Sequence, residues 1–154
     1  MSIATEARAR HEHWVDETAR PATASRFLVP IGRAFFGAIF IKSAPGHFTP
    51  QAIAYAAHQG VPLASILVPL SGVLALVGGV SVLLGYRARL GAWLLVAFLV
   101  PVTLMMHNFW AVADPQMAQL QQGMFMKNLS MLGGALLIAH FGAGPVSLDA
   151  QSGR

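Results

Sequence analysis

Three long runs of the chain contain no Asp, Glu, Lys or Arg: residues 43–86, 90–113 and 128–148. Leu, Val, Ala, Phe and Gly dominate them. A helix needs about 20 mainly apolar residues to cross a bilayer. The pattern predicts four spans, at 27–43, 62–85, 90–109 and 123–141. The first is the shortest, holds Arg33 and ends at Lys42. The second and third offer no polar face to water, which argues against a soluble helical bundle.

Punctuating residues mark the ends of these elements. Pro62 suits a first helical turn and Gly85 a helix end. Thr49-Pro50 and Gly60 bracket QAIAYAAHQ, with Thr to cap, Pro at the first helical position and Gly to stop. A short helix at the membrane surface is expected there, with Tyr55 at headgroup level. Asp114-Pro115 gives the same start signal, so the fourth helix begins before the membrane, and Gln116, Gln119, Gln121 and Gln122 project out of it. Pro101 lies inside the third span and is expected to bend it. The expected fold is an all-α integral-membrane four-helix bundle with a short interfacial helix between the first and second spans. Residues 1–25 form a polar tail, 26–143 the four-helix domain and 144–154 a C-terminal tail.

Composition sharpens this reading. Only 16 of 154 residues are charged, ten basic and six acidic, where a soluble domain carries about a quarter. Hydrophobic residues make up 55% and mean hydropathy is +0.58. The net charge of +4 does not point to nucleic acid, because the basic residues sit at the ends of apolar runs and form no patch. Arg8, Arg10, Arg20 and Arg26 precede the first span, Arg87 and Arg89 lie between the second and third, and Arg154 ends the chain. Loops 44–61 and 110–122 have no Arg or Lys. With four spans these segments alternate, so both termini are expected in the cytoplasm. Residues 1–25 lack the apolar core of a signal peptide. Glu6/Arg10 and Arg8/Glu12 suit a short helix in that tail, with Trp14 on the headgroups.

Lipid is as apolar as Leu, so close approach of small residues must hold such helices together. The second span offers Ser71, Gly72, Ala75, Gly78 and Gly79, and the fourth Gly133 and Gly134. These faces are expected to pack within the bundle or against a partner.

Polar residues inside the spans need a reason, because charge in a membrane is costly. Arg33 either snorkels to the headgroups or is a buried charge. Topology places Lys42, His47, His107, Asn108, Lys127 and Asn128 at one depth, at the end of the bundle away from the arginines. No acidic residue in the spans pairs with the lysines. This cluster is a candidate site for an anion or a polar head group, and a quinone carbonyl could accept hydrogen bonds from its donors.

Other chemistry is excluded or weak. There is no cysteine, hence no disulfide, thiolate metal site or CxxC relay. His107 and His140 lie at opposite ends of their spans, so they cannot share a haem iron. HExxH, a carboxylate pair and a phosphate-binding Gly loop are absent. His11-Glu12-His13 suits a solvated tail better than a metal. No catalytic residue, metal or covalently bound cofactor is expected.

GRAFFGAIFIKSAPGHF, LVGGVSVLLGYRARLGAW, HNFW and FMKNLSMLGG, in this order across residues 27–143, resemble the DoxX family of small four-helix membrane proteins. Many members carry an acidic residue where this chain has Ala75. The resemblance implies a bacterial inner-membrane protein associated with redox complexes.

The leading expectation is an accessory or quinone-interacting subunit of such a complex, surrounded by membrane lipid and bound to redox subunits or to its own copies. The alternatives are a small-solute or anion permease acting as a homo-oligomer, and a non-catalytic membrane scaffold.

Overall fold

The structure, a computed structural model, describes residues 25–153. The expectations placed on residues 1–24 and on Arg154 lie outside them. They include the tail helix, Trp14, His11-Glu12-His13 and the positive charges of Arg8, Arg10, Arg20 and Arg154.

Among the described residues every element is helical. α1 spans Leu28–Ser43 and α2 spans Pro50–His58. α3 spans Ala64–Leu84, α4 Ala88–Met106 and α5 Pro115–Phe141. α6 is a short helix at Leu148–Gln151. Single 3-10 turns cover Ser25–Phe27, Ala44–Phe48 and Phe109–Ala111. Four helices are long and apolar enough to cross a membrane: α1 with its following turn, α3, α4 with its following turn, and α5. Their outward faces carry Phe35, Ile66, Leu104, Leu137 and Phe141, all exposed. Large apolar side chains turned outward on every span suit lipid and not water. The chain is a multi-pass membrane protein.

The caps follow from local chemistry. Thr49 Oγ1 accepts the Ala52 N–H at 3.3 Å and starts α2. Asp114 Oδ1 accepts the Met117 N–H at 2.8 Å and starts α5. Gly85 ends α3 in the left-handed region, at φ 64°. One start differs from expectation. α3 begins at Ala64, and Pro62 lies ahead of it. Leu63 stands at the cap with φ 47°, a conformation costly for a side chain with a Cβ, and Arg87 does the same before α4. Pro69 and Pro101 both sit inside helices, where membrane neighbours can compensate for the lost N–H.

α3 packs against α1 and α4, and α5 packs against α4. The core between them is formed by Phe40, Ala75, Val82, Ala92, Leu95, Phe98, Leu99 and Ala135. Small residues permit the closest crossings. A Cβ on Gly78 would lie 2.8 Å from the Leu95 side chain and 2.9 Å from Gly91 O. One on Gly79 would meet Phe40 Cβ at 3.0 Å and Gly37 O at 3.1 Å. Gly72 lies beneath His47 and Phe48, and Gly134 against Phe36. Ala75 is fully buried and Ser71 is partly buried. Gly133 differs, because it faces open space and takes no part in packing within this chain.

The segment from residue 144, expected as a tail, folds back onto the bundle. Arg33 is the reason. It is buried and does not snorkel: Nη1 donates to Ala143 O at 2.7 Å and Nη2 to Val146 O at 2.6 Å. Asp149 then accepts the Arg87 N–H at 2.7 Å and the Ala88 N–H at 2.9 Å, capping α4 from a distant part of the chain. The Asp149 N–H returns a bond to Gly85 O at 2.8 Å.

Candidate functional site

The expected cluster of six polar residues is not one site in the structure. Helix position predicts one depth for them, but their directions around the helices differ, and His107 bonds Gln121, six residues before Lys127. Lys42 is exposed, and Lys127 is exposed with Nζ 3.5 Å from Met124 Sδ of its own helix. Asn128 is buried on α5. Asn108 is half-buried at the start of the 3-10 turn, where its carbonyl accepts the Ala111 N–H. His47 and His107 are brought together. Both line a cavity of about 420 Å³ whose walls come from the turn after α1, from α2, and from α3 and α4.

The cavity is mainly apolar. Leu74, Phe98, Val102 and Met105 form much of its lining, and Pro101 adds a rigid ring. Its polar lining residues are Ser43, His47, Tyr55, Ser71 and His107. Sequence reasoning missed Ser43 and Tyr55 as site residues and named Ser71 only for packing. The signal was available in part: the short helix α2 places Tyr55 at the same membrane end as His107.

The hydrogen-bond roles of these groups are constrained. Ser43 Oγ donates to Phe40 O at 3.1 Å, and Ser71 Oγ donates to Val68 O at 2.7 Å. Both hydroxyl protons are therefore held by their own helices, and only oxygen lone pairs are free. The His47 Nδ1–H donates to Ser43 O at 3.2 Å, and the His107 Nδ1–H to Gln121 Oε1 at 2.8 Å. A neutral imidazole with Nδ1 protonated leaves Nε2 as an acceptor. Tyr55 is the exception. Its oxygen accepts from Gln59 Nε2 at 2.9 Å, so its own proton stays available. The lining thus offers several acceptors and one free hydroxyl donor. His47 is further fixed edge-on to Phe98, with ring centroids 5.5 Å apart.

No group of three or more metal-ligating side chains occurs among the described residues. The cavity lining from Val61 onward falls within a stretch that a family model recognises. The model is that of the SURF4 family, and it matches residues 57–154, more than half of the chain. The chain belongs to the SURF4 family. This corrects the resemblance to DoxX. Three of the four segments that carried that resemblance lie inside the SURF4 match. Paired glycines, an Arg-bearing turn and an aromatic helix end arise wherever helices cross closely in lipid and arginines fix orientation, so they do not separate one such family from another. The match leaves out α1 and most of α2, so Ser43, His47 and Tyr55 join the site from outside the matched stretch. No curated protein and no solved structure matches the chain.

Proposed function

We propose that this SURF4-family protein binds an amphipathic molecule with an apolar body and a hydroxyl-bearing head, of the quinol class, in the cavity between α2, α3 and α4. The observation that carries the reading is the pairing of an apolar wall with polar groups whose protons are already committed. Ser43, Ser71, His47 and His107 present acceptors to a neutral head group that donates. Tyr55 supplies one donor in return. A quinone carbonyl needs donors, and the lining has fewer of them, so the reduced form is favoured. This shifts the sequence-based expectation of a quinone held by donor side chains. A subunit role in a redox complex was implied by DoxX and loses that ground.

Passage through one copy finds less support than binding. Phe40, Val82, Leu95 and Leu99 fill the centre between the helices and are almost completely inaccessible. We place the arginine end of the bundle in the cytoplasm, because Arg26, Arg87 and Arg89 lie there and loops 44–61 and 110–122 have no Lys or Arg. The cavity then opens on the opposite side of what we take to be a bacterial inner membrane.

The test is equilibrium binding of a short-tailed benzoquinol and its quinone to the purified full chain in lipid nanodiscs. Ala97 lines the cavity and is exposed, so Ala97→Phe fills the space without disturbing the helix core. The expected result is saturable quinol binding tighter than quinone, abolished by Ala97→Phe. Equal binding to Ala97→Phe and the parent chain would remove the proposal.

A further inference from the structure

We propose that the arginine end of the bundle carries a second site, for a phosphate group, formed by Arg87 and Arg89 against residues 142–150. A cavity of about 690 Å³ opens there, lined by Arg87, Arg89, Leu90, Phe141, Gly142 and Asp149 among others. Its lining holds two guanidinium groups and the Asp149 carboxylate, and their hydrogen bonding is uneven. Several local acceptors are engaged from within. Ala143 O and Val146 O accept from Arg33, Gly144 O accepts from Ser147 Oγ, and Gly85 O accepts from the Asp149 N–H. The Asp149 oxygens take the N–H groups of Arg87 and Ala88.

The donors are not satisfied in the same way. Neither the Arg87 nor the Arg89 guanidinium is in an ion pair among the described residues. Arg87 lies over the Tyr86 ring at 5.9 Å. Arg89 rests on Gly142, where a Cβ would come within 3.3 Å of its Nε. Glycine at that position leaves room for the guanidinium beside the cavity. Forked N–H donors with no internal partner suit phosphate oxygens.

The apolar flank favours a membrane lipid as the source of the phosphate. Leu90 is 54% exposed and Phe141 72% exposed, and both line the same cavity. They adjoin the lipid-facing surfaces of α4 and α5, so an acyl chain can lie along them while its phosphate meets the arginines. The membrane surface is also where arginines of this end of the bundle sit.

Native mass spectrometry of the full chain tests this, with dioleoyl phosphatidylglycerol, dioleoyl phosphatidylcholine and glycerol 1-phosphate as probes. Arg87→Asn suits the left-handed backbone at that position. The expected result is a single saturable phosphatidylglycerol site that Arg89→Gln weakens about five-fold and Arg87→Asn/Arg89→Gln about 25-fold. Arg26→Gln removes a charge at the same end but outside the cavity, and is expected to leave binding unchanged. If the double variant fails to fold by circular dichroism, Arg89→Gln alone carries the comparison. Displacement by glycerol 1-phosphate identifies a site that also takes free phosphate esters, and its failure to displace identifies a lipid site. Binding by Arg89→Gln equal to the parent, or an equal loss in Arg26→Gln, would overturn the proposal.

Discussion

Replacing Arg33 with Met tests the coupling between the first helix and the C-terminal segment. Arg33 is buried near the arginine end of α1, and its two Nη groups reach Ala143 O and Val146 O at 2.7 and 2.6 Å. Each hydrogen bond from a charged donor contributes about 1.5–3 kcal/mol, so the pair contributes roughly 3–6 kcal/mol before other terms. Met removes the cost of burying the cation, including its Nε, which has no partner. It leaves two carbonyls without their donors. The net loss worked from these terms is about 2–3 kcal/mol of local stability, equivalent to roughly 30- to 150-fold more frequent opening. The loss belongs to the docked segment, because the Arg33 hydrogen bonds go to Ala143 O and Val146 O and not to α4. Hydrogen exchange read by mass spectrometry is the assay. The amides of Arg87, Ala88 and Asp149 should exchange faster, since Asp149 links all three to the segment. Amides in the middle of α4, around Leu95, should not change. Arg33→Lys keeps the charge without the fork that spans both carbonyls, so its exchange should fall between the two. Unchanged exchange at Asp149, or equal acceleration throughout α4, would refute the reasoning.

Three further outcomes follow from the packing and the caps. Gly78→Leu forces a side chain into Leu95 and Gly91 and should cost at least about 1–3 kcal/mol, whereas Gly133→Leu faces open space and should leave the melting temperature unchanged. Asp149→Ala removes the cap of α4 and should lower stability by about 1 kcal/mol, read as a lower thermal midpoint in detergent. Leu63→Gly relieves a positive φ of 47° at an exposed position, and should raise the midpoint by an amount equivalent to about 1 kcal/mol.

The parts of the fold that were legible in the sequence are those set by local rules. Charge-free runs located the four spans, and Thr49-Pro50, Gly85 and Asp114-Pro115 marked three helix boundaries through capping chemistry. Gly72, Gly78, Gly79 and Gly134 were legible as packing residues because a close crossing in lipid requires small side chains. The start of α3 was displaced by two residues, since Leu63 and not Pro62 occupies the cap.

What depends on direction around a helix, or on distant contacts, was not legible. Lys42, Lys127, His47 and His107 are expected from the sequence at one membrane depth, but only the two histidines turn to a common cavity. No local pattern announces that Asp149 caps a helix beginning at Ala88, or that Arg33 binds carbonyls more than a hundred residues away. The committed protons of Ser43, Ser71 and both histidines are likewise a property of the folded site. They convert an expected cluster of donors into a lining of acceptors.

Photo-crosslinking tests the central claim most directly. A short-tailed quinol carrying a diazirine on its apolar chain would be bound to the full chain in nanodiscs, irradiated, and the adducts mapped by peptide mass spectrometry. Binding in the cavity predicts saturable labelling of Leu74, Phe98, Val102 or Met105, competed by unlabelled quinol. Labelling confined to lipid-facing positions such as Phe35, Leu136 and Leu137, without saturation or competition, would contradict it.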